Sequence, residues 1–401
     1  MKYSLKVIFL SIFFTGILIF LSNSSTHLEF YTFSIIAISY LFVLVGIYFG
    51  SLYPVFFIKS NTRINLIYNF VQLAGIIGFA SFLLRIYDKF ILRGAPLTYN
   101  FSQVLNVLQD EGSSFVGILT APFIFMCFYP YLHNKINNKN TSFSSILFWL
   151  PAIDTIITGQ RFVLLFCLFV YFMSLIVIKT NYNSFKYIKL TIISFFTITI
   201  AFLLINLRYI EQKRDIFVSL NTSSYSDLFL LPKFIMDSNS IIIHSFYNTY
   251  LYLQHGIFEF NYAIQSGHWS YTYGRYNFPA LYKLLEYFGL KSDPWSGFER
   301  QGIYLSAFGC SFFDFGFLFP LYWFVVGYFL VVSWKNYIFN MNFLSALLSF
   351  YFSYVVIMMP VTTMLGYGFG NYIIFSLVIT LLTLKTNIAN VFKLKRISEC
   401  H

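Results

Sequence analysis

Apolar stretches of the length that crosses a bilayer, about 20 residues, recur from one end of this 401-residue chain to the other. Polar or charged stops divide them into ten candidate helices, near 5–22, 31–58, 64–84, 115–132, 143–158, 162–178, 189–206, 315–333, 342–360 and 365–384. The expected fold is an all-α polytopic membrane protein. Composition closes off the alternatives. The chain is 58% hydrophobic and 10% charged, whereas soluble domains are usually about one-quarter charged and under half apolar. Such a chain cannot build a water-compatible surface, which excludes a soluble enzyme, a nucleic-acid binder and a disordered protein despite the formal net charge of +11. The first run follows Lys2 and Lys6, but Leu21-Ser22-Asn23-Ser24 offers no small-residue cleavage site, so it is read as a retained span. The fifth is the weakest, holding Pro151 and Asp154 and ending at Gly159.

The basic residues set an orientation, because cytoplasmic loops of membrane proteins collect Lys and Arg. A cytoplasmic N-terminus puts Lys2, Lys6, Lys59, Arg63, Lys135, Lys139, Lys179, Lys186, Lys189 and Lys335 on that side, together with Lys385, Lys393, Lys395 and Arg396 of the tail. Glu399 is the one acid that joins them. The positive charge is then a cytoplasmic-face excess that meets anionic lipid and does not signal nucleic acid. Both termini are expected in the cytoplasm. The chain divides into spans one to seven over 1–206, a large outer loop over 207–314, and spans eight to ten with a basic tail over 315–401.

The outer face holds the unusual residues. Segment 207–314 is too polar for membrane and longer than an ordinary connection, and long ordered loops are usually functional. It carries Arg208, Lys213, Arg214, Arg275 and Arg300 among many aromatics. Within it, 228–235 and 241–265 read as amphipathic helices whose Tyr247, Tyr250 and Tyr252 lie at headgroup level or dip into the bundle. The plainer reading of these aromatics is an interfacial belt. A second outer loop, 85–114, carries Arg85, Asp88, Lys89, Arg93, Asp110 and Glu111, and the turn Thr158-Gly159-Gln160-Arg161 is a third element. Arg161 has almost no loop around it, so it either snorkels, pairs with Asp154 on the same helix face, or binds an anion. A guanidinium fork suits phosphate, and with Arg208, Arg275 and Arg300 it could meet a substrate bearing two phosphates.

Other patterns carry less. Asp314-Phe315-Gly316 matches a kinase tripeptide by spelling only, and Gly366-Tyr367-Gly368 is better read as close helix packing than as an ion filter. His255 and His268 are candidate acid–base groups in the long loop. The cysteines Cys127, Cys167, Cys310 and Cys400 are scattered, without metal or disulfide spacing. No Walker A sequence is present, and nothing in the sequence calls for a metal or cofactor. Apart from Asp154 the spans carry almost no ionisable residue, which argues against an ion-coupled carrier.

Four segments carry a resemblance. They are Thr158-Gly159-Gln160-Arg161-Phe162-Val163-Leu164-Leu165; Tyr252-Leu253-Gln254-His255-Gly256; Tyr273-Gly274-Arg275-Tyr276-Asn277-Phe278; and Gly302-Ile303-Tyr304 leading to Phe313-Asp314-Phe315-Gly316. Their order, with one large outer loop before the last three spans, resembles the Wzy-type bacterial oligosaccharide repeat-unit polymerases that make O-antigen or capsule. An Arg-x10-Gly element of some members is absent. The resemblance implies a type C glycosyltransferase fold in the bacterial inner membrane. It also implies glycosyl transfer from undecaprenyl-pyrophosphate-linked oligosaccharide to a sugar hydroxyl on the periplasmic face. Arg161 and Arg275 would bind the pyrophosphate, with Arg208 or Arg300 assisting, and Glu299, Asp110 or His255 would take the proton. Asp154, Tyr273, Asn277 and Asp314 complete the expected substrate-binding set. Implied partners are the lipid-linked oligosaccharides, membrane lipid and a chain-length regulator, with no nucleic acid and no cofactor. O-antigen ligase, a lipid-linked oligosaccharide flippase and a scaffold protein stay open as alternatives.

Overall fold

The computed structural model describes residues 1–22, 24, 27–53, 64–96, 104, 107–108, 114–139, 141–156, 162–178, 240–267, 269–289, 305–366 and 369–398. Among these the architecture is all helix, with no strand. In chain order the helices are α1 (Lys2–Phe20), α2 (Phe30–Leu52), α3 (Ile64–Tyr87), α4 (Phe115–Thr120), α5 (Phe128–Ile136), α6 (Ser142–Ile156), α7 (Phe162–Val177), α8 (Ile241–Ser266), α9 (Pro279–Tyr287), α10 (Ala307–Phe315), α11 (Phe319–Asn340), α12 (Phe343–Ile357) and α13 (Phe369–Ser398). By length and composition, several are apolar enough to cross a membrane: α1, α2 and α3, the stretch Phe115–Ile136, and the stretch Ala307–Asn340. The expected span 189–206 lies outside the described residues.

Helix pairing rests on close backbone approach and aromatic packing. The most extensive pair is α2 with α11. A methyl group added at Gly46 would run into the backbone carbonyl of Phe324, and one at Gly327 into that of Val43. Small residues at a crossing let two backbones touch, which is how helices gain contact where lipid competes equally for apolar side chains. At one end of this pair the Lys335 ammonium donates to the carbonyls of Ser51 and Tyr53 at 2.8 and 2.6 Å, satisfying oxygens that the end of α2 leaves open. Inside the bundle, large aromatics take hydroxyl partners. Trp334 Nε1 donates to Ser353 Oγ at 3.0 Å, Tyr129 pairs with Ser376 at 2.9 Å, and Tyr40 meets both Ser11 and Thr15. A buried N–H or O–H without a partner costs several kcal/mol, so Ser and Thr facing Trp and Tyr let the core stay aromatic.

Two apolar stretches are not straight spans. Phe115–Ile136 is broken by a 3-10 turn at Phe123–Cys127. Ala307–Asn340 is a hairpin. The rings of Phe308 and Trp323 lie 6.2 Å apart and Trp323 Nε1 donates to Ser311 at 2.9 Å, although a continuous helix would separate Phe308 from Trp323 by about 22 Å. The reversal occurs at Gly316, whose φ of +51° a side chain would resist. The short α10 therefore doubles back along α11, and the expected division between loop and span at 314/315 falls inside the reversal.

The described part of the 207–314 segment is mostly helical and packed into the protein. In α8, Leu251, Ile257, Phe258, Phe260 and Ala263 are buried, Tyr252 stacks on Phe162, and Asn261 ties α8 to the α1–α2 connection through the His27 carbonyl and the Glu29 amide. α8 thus dips into the bundle. Between α12 and α13 the chain is non-helical yet buried over 358–366, with Pro360, Thr362 and Thr363 inside. Its polar groups are met by protein: the Met359 carbonyl accepts from Ala307 N and the Leu365 carbonyl from Asn371. Irregular backbone at membrane depth needs such partners.

Candidate functional site

The first polar centre forms where α10 ends. Its start is anchored in the protein: Ser306 N donates to the Gly256 carbonyl and Ala307 N to that of Met359, both at 2.9 Å. The hairpin turn then presents the buried carboxylate of Asp314 to residues 272–278. Oδ1 accepts from the Thr272 hydroxyl and from Tyr276 N at 3.1 Å, while Oδ2 accepts from Asn277 N and Asn277 Nδ2, each at 2.7 Å. Asn277 is fully engaged in turn. Its Oδ1 accepts from the Tyr322 hydroxyl at 2.8 Å and Thr363 Oγ1 at 2.7 Å, and its carbonyl accepts from Asn371 Nδ2 at 2.9 Å. One carboxylate and one amide so join the turn to α11, to the 358–366 stretch and to α13. Gly366 completes the closure, since a methyl there would strike the Tyr276 carbonyl.

The turn has a strained, defined shape. Tyr273 and Gly274 have φ of +50° and +92°, and a non-glycine residue held there costs of order 1–3 kcal/mol, supplied by its surroundings. The bonds of Asp314 and Asn277 go to protein, so what these two supply is the form of the turn. Tyr273 is left outward at 78% exposure, and the half-buried Arg275 lies over the Tyr282 ring, 6.0 Å from its centroid.

The second centre is a buried ion cluster. Asp154, 1% exposed on α6, accepts Arg85 Nε at Oδ2, 2.8 Å, and Lys89 Nζ at Oδ1, 2.6 Å. Lys89 also donates to the Asp154 carbonyl, and Arg85 Nη1 to that of Gly117 at 3.2 Å. Beside them Asp88 accepts from Ser114 and lies 3.9 Å from Arg93. The partners of Asp154 thus come from α3 and the π-turn Asp88–Leu92 that extends it. π-turns inside helices are frequent at functional sites. Asn371, in the first turn of α13, holds the Asn277 carbonyl of the first centre.

The third centre is on α8. His255 Nε2 and Glu259 Oε1 are 2.9 Å apart, one helical turn separating them, and both side chains are buried. His255 is a core residue in a polar pair and not a solvated loop histidine. Gly256 beside it packs on Ser306 and Val361, placing the pair next to the start of α10.

Of the residues expected from the sequence, Arg275, Tyr273, Asn277 and Asp314 come together, and Asp154 and His255 lie in the two other centres. Arg161, Arg208, Glu299, Arg300, Asp110 and His268 lie outside the described residues. Arg85 and Lys89 were legible only as outer-loop charges, although their i, i+4 spacing continues directly from the apolar run 64–84. Thr363 stood out in the sequence only as a neighbour of Gly366-Tyr367-Gly368, and Asn371 gave no signal. Among the described residues no cluster of His, Cys, Asp or Glu could hold a metal ion. Compared with known proteins, the chain matches no family model, no curated sequence and no solved structure.

Proposed function

We propose that this membrane protein is a glycosyltransferase of the O-antigen or capsule polymerase kind, joining repeat units carried on undecaprenyl pyrophosphate at the periplasmic face of a bacterial inner membrane. The observation that carries the reading is the meeting of two segments that resemble those polymerases. The Tyr273–Asn277 turn and the Phe313-Asp314-Phe315-Gly316 hairpin, 37 residues apart at Asn277 and Asp314, are bonded into one unit. That unit displays an arginine and a tyrosine, a set suited to phosphate and sugar. Arg275, with Arg161, binds the pyrophosphate and stabilises the charge that develops as it leaves. The acceptor hydroxyl attacks the anomeric carbon. Its oxygen forms the new glycosidic bond, the carbon–phosphate-oxygen bond breaks with its electron pair going to the pyrophosphate, and the proton passes to a base. His255, held by Glu259, is the candidate base among the described residues, with Glu299 and Asp110 the alternatives outside them. Asp314 and Asn277 act by positioning the turn.

The test is a gel of surface polysaccharide from a strain lacking this gene, complemented with wild type, Arg161→Ala or Arg275→Ala at matched expression. The expected result is a ladder that collapses to core plus one unit on deletion and returns with wild type but not with either variant. Complete loss of units on core would move the assignment to ligase or flippase, and an unchanged ladder would refute it for that glycan.

A further inference from the structure

We propose that α9 lies in the membrane surface as an in-plane helix and that Tyr282 fastens the Arg275 turn to it, so that the bilayer sets the depth at which this arginine is held. The seat rests on the geometry of the described residues. That the arginine held there meets a lipid-borne phosphate rests on the glycosyltransferase reading.

The nine residues of α9 cover about 14 Å, too little to cross a hydrocarbon layer about 30 Å thick. Pro279 suits the first turn of a helix, and Phe278 before it caps the helix, its carbonyl accepting from Leu281 N and Tyr282 N at 3.1 and 3.3 Å. Phe278, Leu281 and Leu284 are all exposed, and steps of three keep them along one side of the helix. Water is a poor solvent for such a stripe. A helix with one outward apolar face settles instead at the boundary between headgroups and acyl chains.

Its neighbours put that stripe beside lipid. α9 packs against α13, whose run from Phe369 to Thr383 is apolar and whose first turn grips the Asn277 carbonyl. Phe278 meets Phe315 of the hairpin with ring centroids 6.4 Å apart. The hairpin tip beyond, Phe317 and Leu318, is exposed and leads into α11, in a stretch apolar enough to cross a membrane. Contiguous exposed apolar surface of this kind marks membrane contact, and the α9 stripe extends it.

Tyr282 joins this helix to the turn in two ways. Its hydroxyl donates to the Tyr273 carbonyl at 2.5 Å, holding the residue whose φ is +50°. Its ring lies beneath the Arg275 guanidinium, 6.0 Å from the centroid, a distance at which a cation is drawn to an aromatic face. A helix sunk about 5–10 Å into the headgroup boundary therefore carries the guanidinium with it, at the level of the lipid phosphates.

Spin labels test both parts in the full-length protein. Leu281→Cys, Leu284→Cys and Tyr273→Cys are each combined with Cys400→Ser, labelled with a nitroxide and reconstituted in phosphatidylcholine nanodiscs. Power saturation compares collisions with oxygen, which concentrates among acyl chains, and with a water-soluble nickel chelate. The oxygen-to-nickel ratio at 281 and 284 should exceed that at 273 by at least about threefold, as for a helix buried on one face. Adding Tyr282→Phe, which keeps the ring and drops the hydroxyl, should leave the depth at 281 and 284 unchanged and narrow the spectrum of the label at 273. If Tyr282→Phe fails to fold, the distance distribution between labels at 273 and 284 carries that part, and one narrow peak is expected. Nickel contact at 281 and 284 equal to that at 273 would put α9 in water and overturn the proposal. Exclusion of both reagents would overturn it too, with dipolar broadening between labels identifying a second copy of the chain as the cover. An unchanged spectrum at 273 in Tyr282→Phe, or a broad distance distribution, would overturn the fastening. No glycan enters this assay, so an unchanged polysaccharide ladder after gene deletion would remove the polymerase reading and leave the seat. Nickel-exposed labels beside a collapsed ladder would do the reverse.

Discussion

The side chain of Asn277 donates its amide to Asp314 at 2.7 Å while its oxygen accepts from Tyr322 and Thr363, so one residue joins a turn, a helix hairpin and a buried irregular stretch. Positioning of this kind matters because a group displaced by even 1 Å can lose most of its catalytic effect.

Asp314→Asn should both destabilise the protein and abolish activity. The carboxylate accepts four donors, and an amide would turn an NH2 toward donors it cannot satisfy, at a cost of about 3 kcal/mol or more. Asn277→Asp should be worse, because it sets two carboxylates against each other. Thermal unfolding in detergent, read beside the polysaccharide ladder, checks the order wild type, Asp314→Asn, Asn277→Asp.

His255→Gln should lower the polymerisation rate by at least about 100-fold, the usual worth of a positioned base. Glu259→Gln should lose less, since it removes the partner that orients the imidazole and leaves the imidazole itself. Rates in reconstituted vesicles, normalised to folded protein, decide this. An unaltered rate in His255→Gln would assign the proton to another group.

The α2–α11 crossing should not tolerate a side chain at its centre. Gly327→Leu pushes against the Val43 backbone, and overpacking of this kind typically costs 1–3 kcal/mol or more. Fluorescence-detected size exclusion should show aggregate or no protein. Gly16→Ala, with open space around the site, should elute as wild type.

Orientation can be read by thiol labelling. Among the described residues the native cysteines Cys127, Cys167 and Cys310 are buried, so with Cys400→Ser a single introduced thiol reports its side. Phe288→Cys, at a position 69% exposed after α9, should react with a membrane-impermeant maleimide in intact spheroplasts. Met341→Cys, between α11 and α12 and 64% exposed, should react only after permeabilisation. The opposite pattern would invert the topology inferred from the basic residues.

Much of the helical architecture could be read from the apolar runs, because α2 and α7 need little more than length and hydropathy to be recognised. The hairpin could not. Residues 307–315 are as apolar as the helix that follows, and the reversal is made at Gly316, whose φ is +51°, in a run with no polar stop. The ion cluster was hidden for a different reason. Ending the third span at its first charge places Arg85 and Lys89 in a loop, and the one partner that sequence offers Asp154, Arg161, is only seven residues on, whereas its partners among the described residues lie 69 and 65 residues away. The motif segments 272–278 and 313–316 were both visible, but sequence order gave no sign that the acid of one closes the turn of the other.

The re-entrant α10 also fixes an order of assembly. Nine residues of helix span about 14 Å, roughly half the thickness of the hydrocarbon layer, so α10 cannot enter the bilayer as an independent segment. It can be drawn in only after α11 has inserted, and its buried start needs Gly256 of α8 and the Met359 carbonyl beyond α12 to be in place. A chain interrupted during synthesis anywhere before Met359 therefore leaves the start of α10 without one of its two backbone anchors. The seat of α10 is thus completed only near the end of biogenesis.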